Sequence, residues 1–396
     1  MAERKLAYIA TISRLDKIPD KDRIVYASFY DTGWQVIVDT SNKVEDKVVY
    51  IEIDSILPVK PEYEFLRKRC FSEKYNGFVI KGMKMAGLIS YGLVVPIPAG
   101  YEDKPNGFDM TDVLEITKKE DEYPDLPAEF KSPFDKFIDW FCKKLGIKRK
   151  IKKVGIEGGW LSFAQKTDET RIENLPYLFS DDFKGTPVYT TVKCDGQSAT
   201  FAVFKKYFFI TSRNVVLYRK QVGQAMKELN PKSKYLSRMD NFRKIAALYN
   251  LPRKLYRTGV IRSDVVIQGE LCGPGIQKNP MGLRELDLFV FNVYFPKPLS
   301  ADNPDHGFTD VFNSWDGIVD FCNKAGLKTV PFIEKRKFDW PDKAALKEYA
   351  KGKYQNGKNR EGVVIRYDSG RDPMPKALIG MSNTWSFKCV NDDYIL

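Results

Sequence analysis

The run PVYTTVKCDGQSATFAVF (187–204) constrains this chain more than any other stretch. β-Branched and aromatic residues fill both of its halves, and Cys194, Asp195 and Gly196 interrupt them with a turn signal. The spacing predicts a hairpin with Lys193 at its mouth. Similar strand signatures recur at KYFFITSR (206–213), DVVIQGEL (264–271), DLFVFNVYF (287–295), EGVVIRYD (361–368) and WSFKCV (385–390). Helical patterns fall between them, near residues 219–228, 237–249, 315–325 and 342–350. Together they predict an α+β domain of antiparallel sheets flanked by helices.

The N-terminal third is patterned differently. VVYIEID (48–54) sets Val49, Ile51 and Ile53 against Val48, Tyr50 and Glu52, the two-residue period of a strand. GLISYGLVVPIP (87–98) reads as another strand with glycine breaks, which suits a small curved β-barrel. The proline-rich, acidic YPDLPAEF (123–130) would end this module. A helix should follow, with Ser132 as N-cap, Pro133 in its first turn, one apolar face made by Phe134, Phe137, Ile138, Phe141 and Leu145, and Gly146 as its stop. A chain of 396 residues exceeds what one core usually supports. The expected division is a β-barrel module over 1–125, a helical linker over 126–165 and a catalytic domain over 166–396.

Several function classes fall away at this stage. Lys and Arg outnumber Asp and Glu by 64 to 52, and a formal charge of +12 favours a polyanionic partner, nucleic acid first, through counterion release. The same excess could also be only a solvated surface. Cys70, Cys142, Cys194, Cys272, Cys322 and Cys389 contain no C-x-x-C pair and His306 is the only histidine, which argues against zinc and against a histidine-based triad. Neither a signal-peptide core nor a membrane-length apolar run is present, so an intracellular, cytoplasmic protein with reduced thiols and no membrane partner is expected, acting as a monomer. The stretch GKYQNGKN (352–359) has P-loop spacing, but Asn359 stands where a Ser or Thr must reach a metal, and a strand follows instead of a helix. It reads as a basic turn. Gly273-Pro-Gly275 lacks the third glycine of a dinucleotide fingerprint.

K-x-D-G at Lys193 to Gly196 is weak alone, since average usage yields it in roughly one chain in ten of this length. Its weight comes from the motifs that follow in order: SRN (212–214), GELCGPGIQ (269–277), FVFN (289–292), EGVVIR (361–366) and SFK ending at Lys388. This series resembles the covalent nucleotidyltransferases, which comprise ATP-dependent DNA ligases, RNA ligases and mRNA capping enzymes. KTDETRIENLP (166–176), GELCGPGIQKN and a chain ending eight residues beyond Lys388 resemble the RNA ligases in particular. VVYIEIDSILP (48–58), GLISYGLVVPIP and DMTDVLEITKKE (109–120) resemble the OB-fold module that precedes the catalytic domain in RNA ligases of the Deinococcus type. The implied fold is an OB-like barrel followed by an ATP-grasp-like ligase core. DNA ligases and capping enzymes place an OB domain after the final lysine strand, where this sequence leaves no room for one.

The chemistry implied can be stated residue by residue. A lysine amine attacks the α-phosphorus of ATP only when neutral, and an ordinary one is neutral in roughly one molecule in 2,500 at pH 7, a handicap of about 4 to 5 kcal/mol. A divalent metal and a second lysine, Lys388, would disfavour the ammonium of Lys193. Asp195, Glu270 and Glu361 would orient the water shell of Mg²⁺ or Mn²⁺. By resemblance, Lys388 also holds the α-phosphate, Glu270 contacts the ribose, Phe291 stacks on adenine and Arg213 binds phosphate. Phe289 is the alternative stacking ring. Arg171 and Lys166 would reach the outer phosphates, and Gly196 lies at the nucleotide. Many relatives carry a further lysine where this chain has Val390, so its charge would come from Lys376 or Lys358. Taken singly, Gly196 could be a turn glycine, Glu361 a strand-end charge and Lys388 a solvated lysine.

The implied activity is ATP-dependent sealing of 3′-hydroxyl and 5′-phosphate breaks in RNA, through AMP on Lys193 and an adenylated 5′ end, as in RNA nick repair. The OB module would hold the strand beside the break, so that its removal hurts sealing more than adenylation. A GTP-using guanylyltransferase, a DNA ligase and a non-catalytic RNA-binding relative are the alternatives. A viral origin stays open.

Overall fold

The computed structural model describes residues 5–118, 161, 163–164, 166–167, 169–257, 264–296, 308–309, 314–368 and 385–394. Strand β1 (Ala7–Lys17) is the spine of the N-terminal module, pairing antiparallel with β4 (Lys47–Ile51) along its first half and with β2 (Ile24–Phe29) along its second. A register shift between Ile12 and Arg14 lets one strand serve both partners, and such bulges increase strand twist and help a short sheet curl. β3 (Gln35–Asp39) and β10 (Leu93–Val95) complete the sheet in the order β10-β4-β1-β2-β3. A second sheet holds β5 (Ser55–Leu57), β6 (Phe71–Ser72), β7 (Gly77–Val79) and β11 (Thr117–Lys118), while β8 (Gly82–Met85) and β9 (Leu88–Tyr91) form a hairpin. The result is the nearly closed, OB-like barrel that the sequence predicts.

The alternation expected at 48–54 holds through Ile51. Val49 and Ile51 enter a core with Ile9, Leu57 and Phe78, whereas Val48 and Tyr50 face a second core containing Trp34, Val36 and Tyr91. The strand ends there because Asp54 takes a left-handed conformation (φ 68°) and turns the chain into β5. The glycine break expected in 87–98 falls at Gly92, between β9 and β10. The boundary segment 123–130, the helix expected after Ser132, and Cys142 and His306 lie outside the described residues.

The C-terminal region is built around two sheets. One runs β12-β23-β22-β13-β21, from β12 (Thr170–Arg171), β13 (Pro187–Val192), β21 (Phe332–Lys337), β22 (Gly362–Tyr367) and β23 (Ser386–Val390). The other runs β16-β15-β14-β17-β18-β19, from β14 (Gln197–Phe204), β15 (Tyr207–Thr211), β16 (Val216–Gln221), β17 (Val265–Cys272), β18 (Asp287–Pro296) and β19 (Phe308–Thr309), with β20 (Lys328–Thr329) against β18. This corrects the hairpin expected at 187–204. β13 has both edges occupied by β21 and β22, and β14 by β15 and β17, so the two strands never pair. Residues 193–196 instead carry the chain from one sheet to the other.

Helices cover 222–228, 241–248, 251–257, 315–325 and 343–350. The helix expected from 219 starts later because 216–221 is β16. Asp240, Ser314 and Asp342 cap three of these helices by accepting from Arg243, Gly317 and Ala345 amides. No helix among the described residues is long and apolar enough to cross a membrane.

Candidate active site

Lys193 lies on the crossover between the two sheets, and its backbone is fixed on both sides. Its amide donates to the Gly362 carbonyl at 3.0 Å, and its own carbonyl accepts from the Tyr354 hydroxyl at 3.1 Å. That hydroxyl also accepts from the Glu361 amide at 3.1 Å, so one phenol ties the backbone of Lys193 to that of Glu361. The side chains then meet: Lys193 Nζ lies 2.5 Å from Glu361 Oε1, both groups being partly buried.

Gly196 ends the crossover where β14 meets β17. A Cβ there would fall 2.1 Å from the Leu271 carbonyl oxygen and 2.9 Å from Cγ of Glu270, so only glycine lets the segment lie this close to the strand that carries Glu270. The plain turn reading is therefore insufficient. Just ahead of it, Asp195 accepts a hydrogen bond from the Tyr394 hydroxyl.

The three carboxylates crowd one another. Burial, and then the charge of Glu361, push Asp195 up to about 6. Burial drives Glu270 up to about 8, with Glu361 and Asp195 adding to it and Lys193 opposing. Glu361 Oε2 is buried and has no hydrogen-bond partner. Burial by itself favours the neutral amine of Lys193, but the charges of Glu361 and Glu270 outweigh it and raise the pKa above that of an ordinary lysine. With only protein groups present, the Lys193 amine is thus held as an ammonium. An orphaned carboxylate oxygen among repelling carboxyls fits a divalent cation. Among the described residues no group of three His, Cys, Asp or Glu is arranged to ligate one directly.

Lys388 stands on β23 between Val364 of β22 and Arg171 of β12. Burial, reinforced by the charges of Lys193, Arg171 and Arg213, depresses its pKa well below the usual value. It is not a solvated lysine. Arg213 lies near enough to act electrostatically on both Glu270 and Lys388. Four basic side chains therefore border the carboxylates, a distribution suited to a phosphate chain bound with a metal.

Phe291 sits in a bulge of β18, the extra residue where the register against β17 shifts between Gln268 and Gly269. The Arg366 guanidinium packs against its ring, 5.0 Å from the centroid, and donates to its carbonyl at 2.7 Å. Phe289 is opposite Glu270 on the same strand. Arg366 is further fixed by Glu169 at 2.6 Å and by the Ser386 hydroxyl at 3.1 Å. Glu169, Arg366, Tyr354 and Tyr394 were not singled out from the sequence. Arg366 lies inside the EGVVIR motif and Tyr354 inside the rejected P-loop match, whose turn is closed by the Lys353–Asn359 bridge.

The segment 166–171 runs into this site, held by a Thr167–Ser198 hydroxyl contact of 2.6 Å and by pairing of β12 with β23. Arg171 is brought beside Lys388. Lys166 is exposed at the start of the segment, and among the described residues no contact ties it to the cluster. Val390 is buried, with its carbonyl accepting from Lys347 Nζ at 3.1 Å. Lys358 is exposed in the 352–359 turn, and Lys376 lies outside the described residues.

Comparison with known proteins agrees with this layout. Residues 6–97 match a family model described as an OB-fold domain, and residues 186–380 match the RNA ligase model. No curated protein matches the chain in sequence. Among solved structures, a mutant of the Naegleria gruberi RNA ligase with ATP and Mn is similar at a TM-score of 0.72 and 22% identity, over 100% of this chain and 98% of that one. The same ligase with PPi gives 0.71 and 22%, over 99% and 98%. Another mutant with AMP and Mn gives 0.71 and 22%, again over 99% and 98%. At this identity the structural likeness establishes the fold.

Proposed function

We infer that this chain, an OB-fold module followed by an RNA ligase domain, seals RNA breaks with ATP and passes AMP through Lys193. One observation carries the reading: Lys193 shares a cleft with Glu361 at 2.5 Å, with Asp195, Glu270 and Lys388 acting on the same space. The Naegleria ligase, its fold relative, has been solved with ATP, AMP, PPi and Mn, which supports ATP and a divalent metal here.

Each side chain then has a task. Lys193 attacks the α-phosphorus and releases pyrophosphate; the AMP passes to a 5′-phosphate, and a 3′-hydroxyl displaces AMP to close the break. Asp195, Glu270 and Glu361 would hold Mg²⁺ or Mn²⁺ mainly through its water, and the bound ion would supply positive charge that withdraws their grip on the Lys193 proton. Lys388 holds the α-phosphate, and its depressed pKa marks the cost of keeping a cation buried where phosphate later adds negative charge. Phe291 stacks on adenine, Glu270 also meets the ribose, Gly196 allows close approach, and Arg213 and Arg171 bind the outer phosphates. Lys166 would join them only by moving inward.

The domain bounds that go with this reading are 1–125 for the OB module, 126–165 for a helical linker and 166–396 for the catalytic domain. The described cysteines are free, buried thiols, in keeping with a monomer working in the cell interior on RNA nicks. Incubation with labelled ATP or GTP, followed by nicked duplexes with RNA or DNA on each side of the break, tests the reading. An AMP adduct lost in Lys193→Ala and sealing that requires RNA are expected. A GMP adduct would instead indicate a capping-type enzyme, and no adduct with either nucleotide a non-catalytic relative.

A further inference from the structure

Loop 31–34 of the OB module is inserted against the catalytic domain at residues 172–174. The Gly33 amide donates to the Glu173 carbonyl at 2.6 Å, the Trp34 indole N–H donates to Asn174 Oδ1 at 2.6 Å, and Lys343 Nζ reaches the Gly33 carbonyl at 2.6 Å. A Cβ on Gly33 would approach the Glu173 carbonyl oxygen to 3.0 Å, so the backbones meet as closely as they can. Trp34 itself is fully buried.

The face of that indole carries the guanidinium of Arg171, with Cζ 5.7 Å from the ring centroid. Arg171 is the residue registered with Lys388 across β12 and β23. Its Nη1 is buried and has no hydrogen-bond partner. Glu173, the nearby carboxylate, already meets Lys347 at 2.7 Å. Glu173 attracts Arg171 by charge without a hydrogen bond to Nη1, so that nitrogen, desolvated near buried Lys388, is left for a further anion to satisfy.

We propose that Trp34 is a positioning residue for adenylation of Lys193: the OB module, through this one ring, fixes the Arg171 guanidinium toward the phosphates of ATP. The inference rests on the ligase reading above and gives the OB module a part in the nucleotide step, in addition to holding the strand.

The test is the rate of lysyl-AMP formation against ATP concentration in the full chain. Trp34→Ala and Arg171→Ala should each raise the KM for ATP by about ten-fold or more, the double variant should be little worse than either single, and Trp34→Phe should recover most of the loss. A merely structural role would lower the yield of active protein and leave the KM unchanged. Independent, multiplying effects of the two substitutions, or a wild-type KM in folded Trp34→Ala, would overturn the proposal. If Trp34→Ala does not fold, Trp34→Leu combined with Arg171→Ala gives the same cycle. Absence of any AMP adduct on the unaltered protein would instead defeat the ligase reading itself.

Discussion

Lys193 and Glu361 form an ion pair of 2.5 Å, and the second oxygen of Glu361 is buried without a partner. The Lys193 amine is therefore held as an ammonium by the same carboxylate that is left incompletely satisfied. Adding Mn²⁺ should raise the melting temperature by several degrees, because a cation relieves repulsion among Asp195, Glu270 and Glu361. The gain should shrink in Glu270→Gln. Chelation by EDTA should cut adduct formation at least about 100-fold. Adduct formation at the untreated rate after chelation would show that these carboxylates do not serve a metal.

Burial and the charges of Lys193, Arg171 and Arg213 disfavour the ammonium of Lys388, so its place in the interior costs the fold stability. Replacing it with methionine removes a buried amine surrounded by the charges of Lys193, Arg171 and Arg213, and leaves a side chain of similar length. Lys388→Met should melt higher, by about 2–4 °C for each kcal/mol regained. Adduct formation should fall by about 100-fold or more. A variant that melts lower and retains activity would contradict both halves of the argument.

Phe291 and Phe289 offer two candidate rings for adenine. The bulge and the Arg366 contact single out Phe291, and stacking of a base on an aromatic ring is worth about 1–3 kcal/mol. Phe291→Ala should raise the KM for ATP by about ten-fold, and Phe289→Ala should do so much less. Titrating adduct yield against ATP separates them, and the reverse ranking would reassign the ring.

Glu173 links acid stability to the junction of the two modules. Burial pushes its carboxyl up, but Lys347 and Arg171 more than offset this and hold it below an ordinary glutamate. The folded state thus favours the ionised form. The resulting stability is fully present above about pH 4.3, the unfolded value, and is lost as pH falls through the lower folded value. Glu173→Gln should destabilise by about 3–5 kcal/mol at pH 7, with the gap from the unaltered protein narrowing below about pH 4. Urea melts at the two pH values measure this, and a gap that stays constant would exclude the linkage.

The sequence revealed strands where β-branched and apolar residues run together, as at 264–271 and 361–368, because nearly continuous burial leaves a local pattern. It could not reveal partners. The β13 and β14 runs read as a hairpin because a turn signal separates them, whereas each strand finds its edges among segments tens of residues away. Lys193, Asp195, Glu270, Glu361 and Lys388 stand out in the sequence because their motifs follow in a fixed order, and the fold brings their side chains near one another. Tyr394, Glu169 and Arg366 act through contacts spanning 199, 197 and 75 positions, which no local window contains. Lys166, read from the same segment as Arg171, remains at the surface because the chain folds inward only from Thr167.

Residues 392–394 form a short 3-10 turn with a hydroxyl contact at each end. Asp392 accepts from Tyr91 of the OB module, and Tyr394 donates to Asp195 beside the nucleophile. Two residues along the chain therefore separate the barrel from the carboxylate next to Lys193. This splice ties the position of the barrel to that of Asp195, so a displacement of either is resisted by the other.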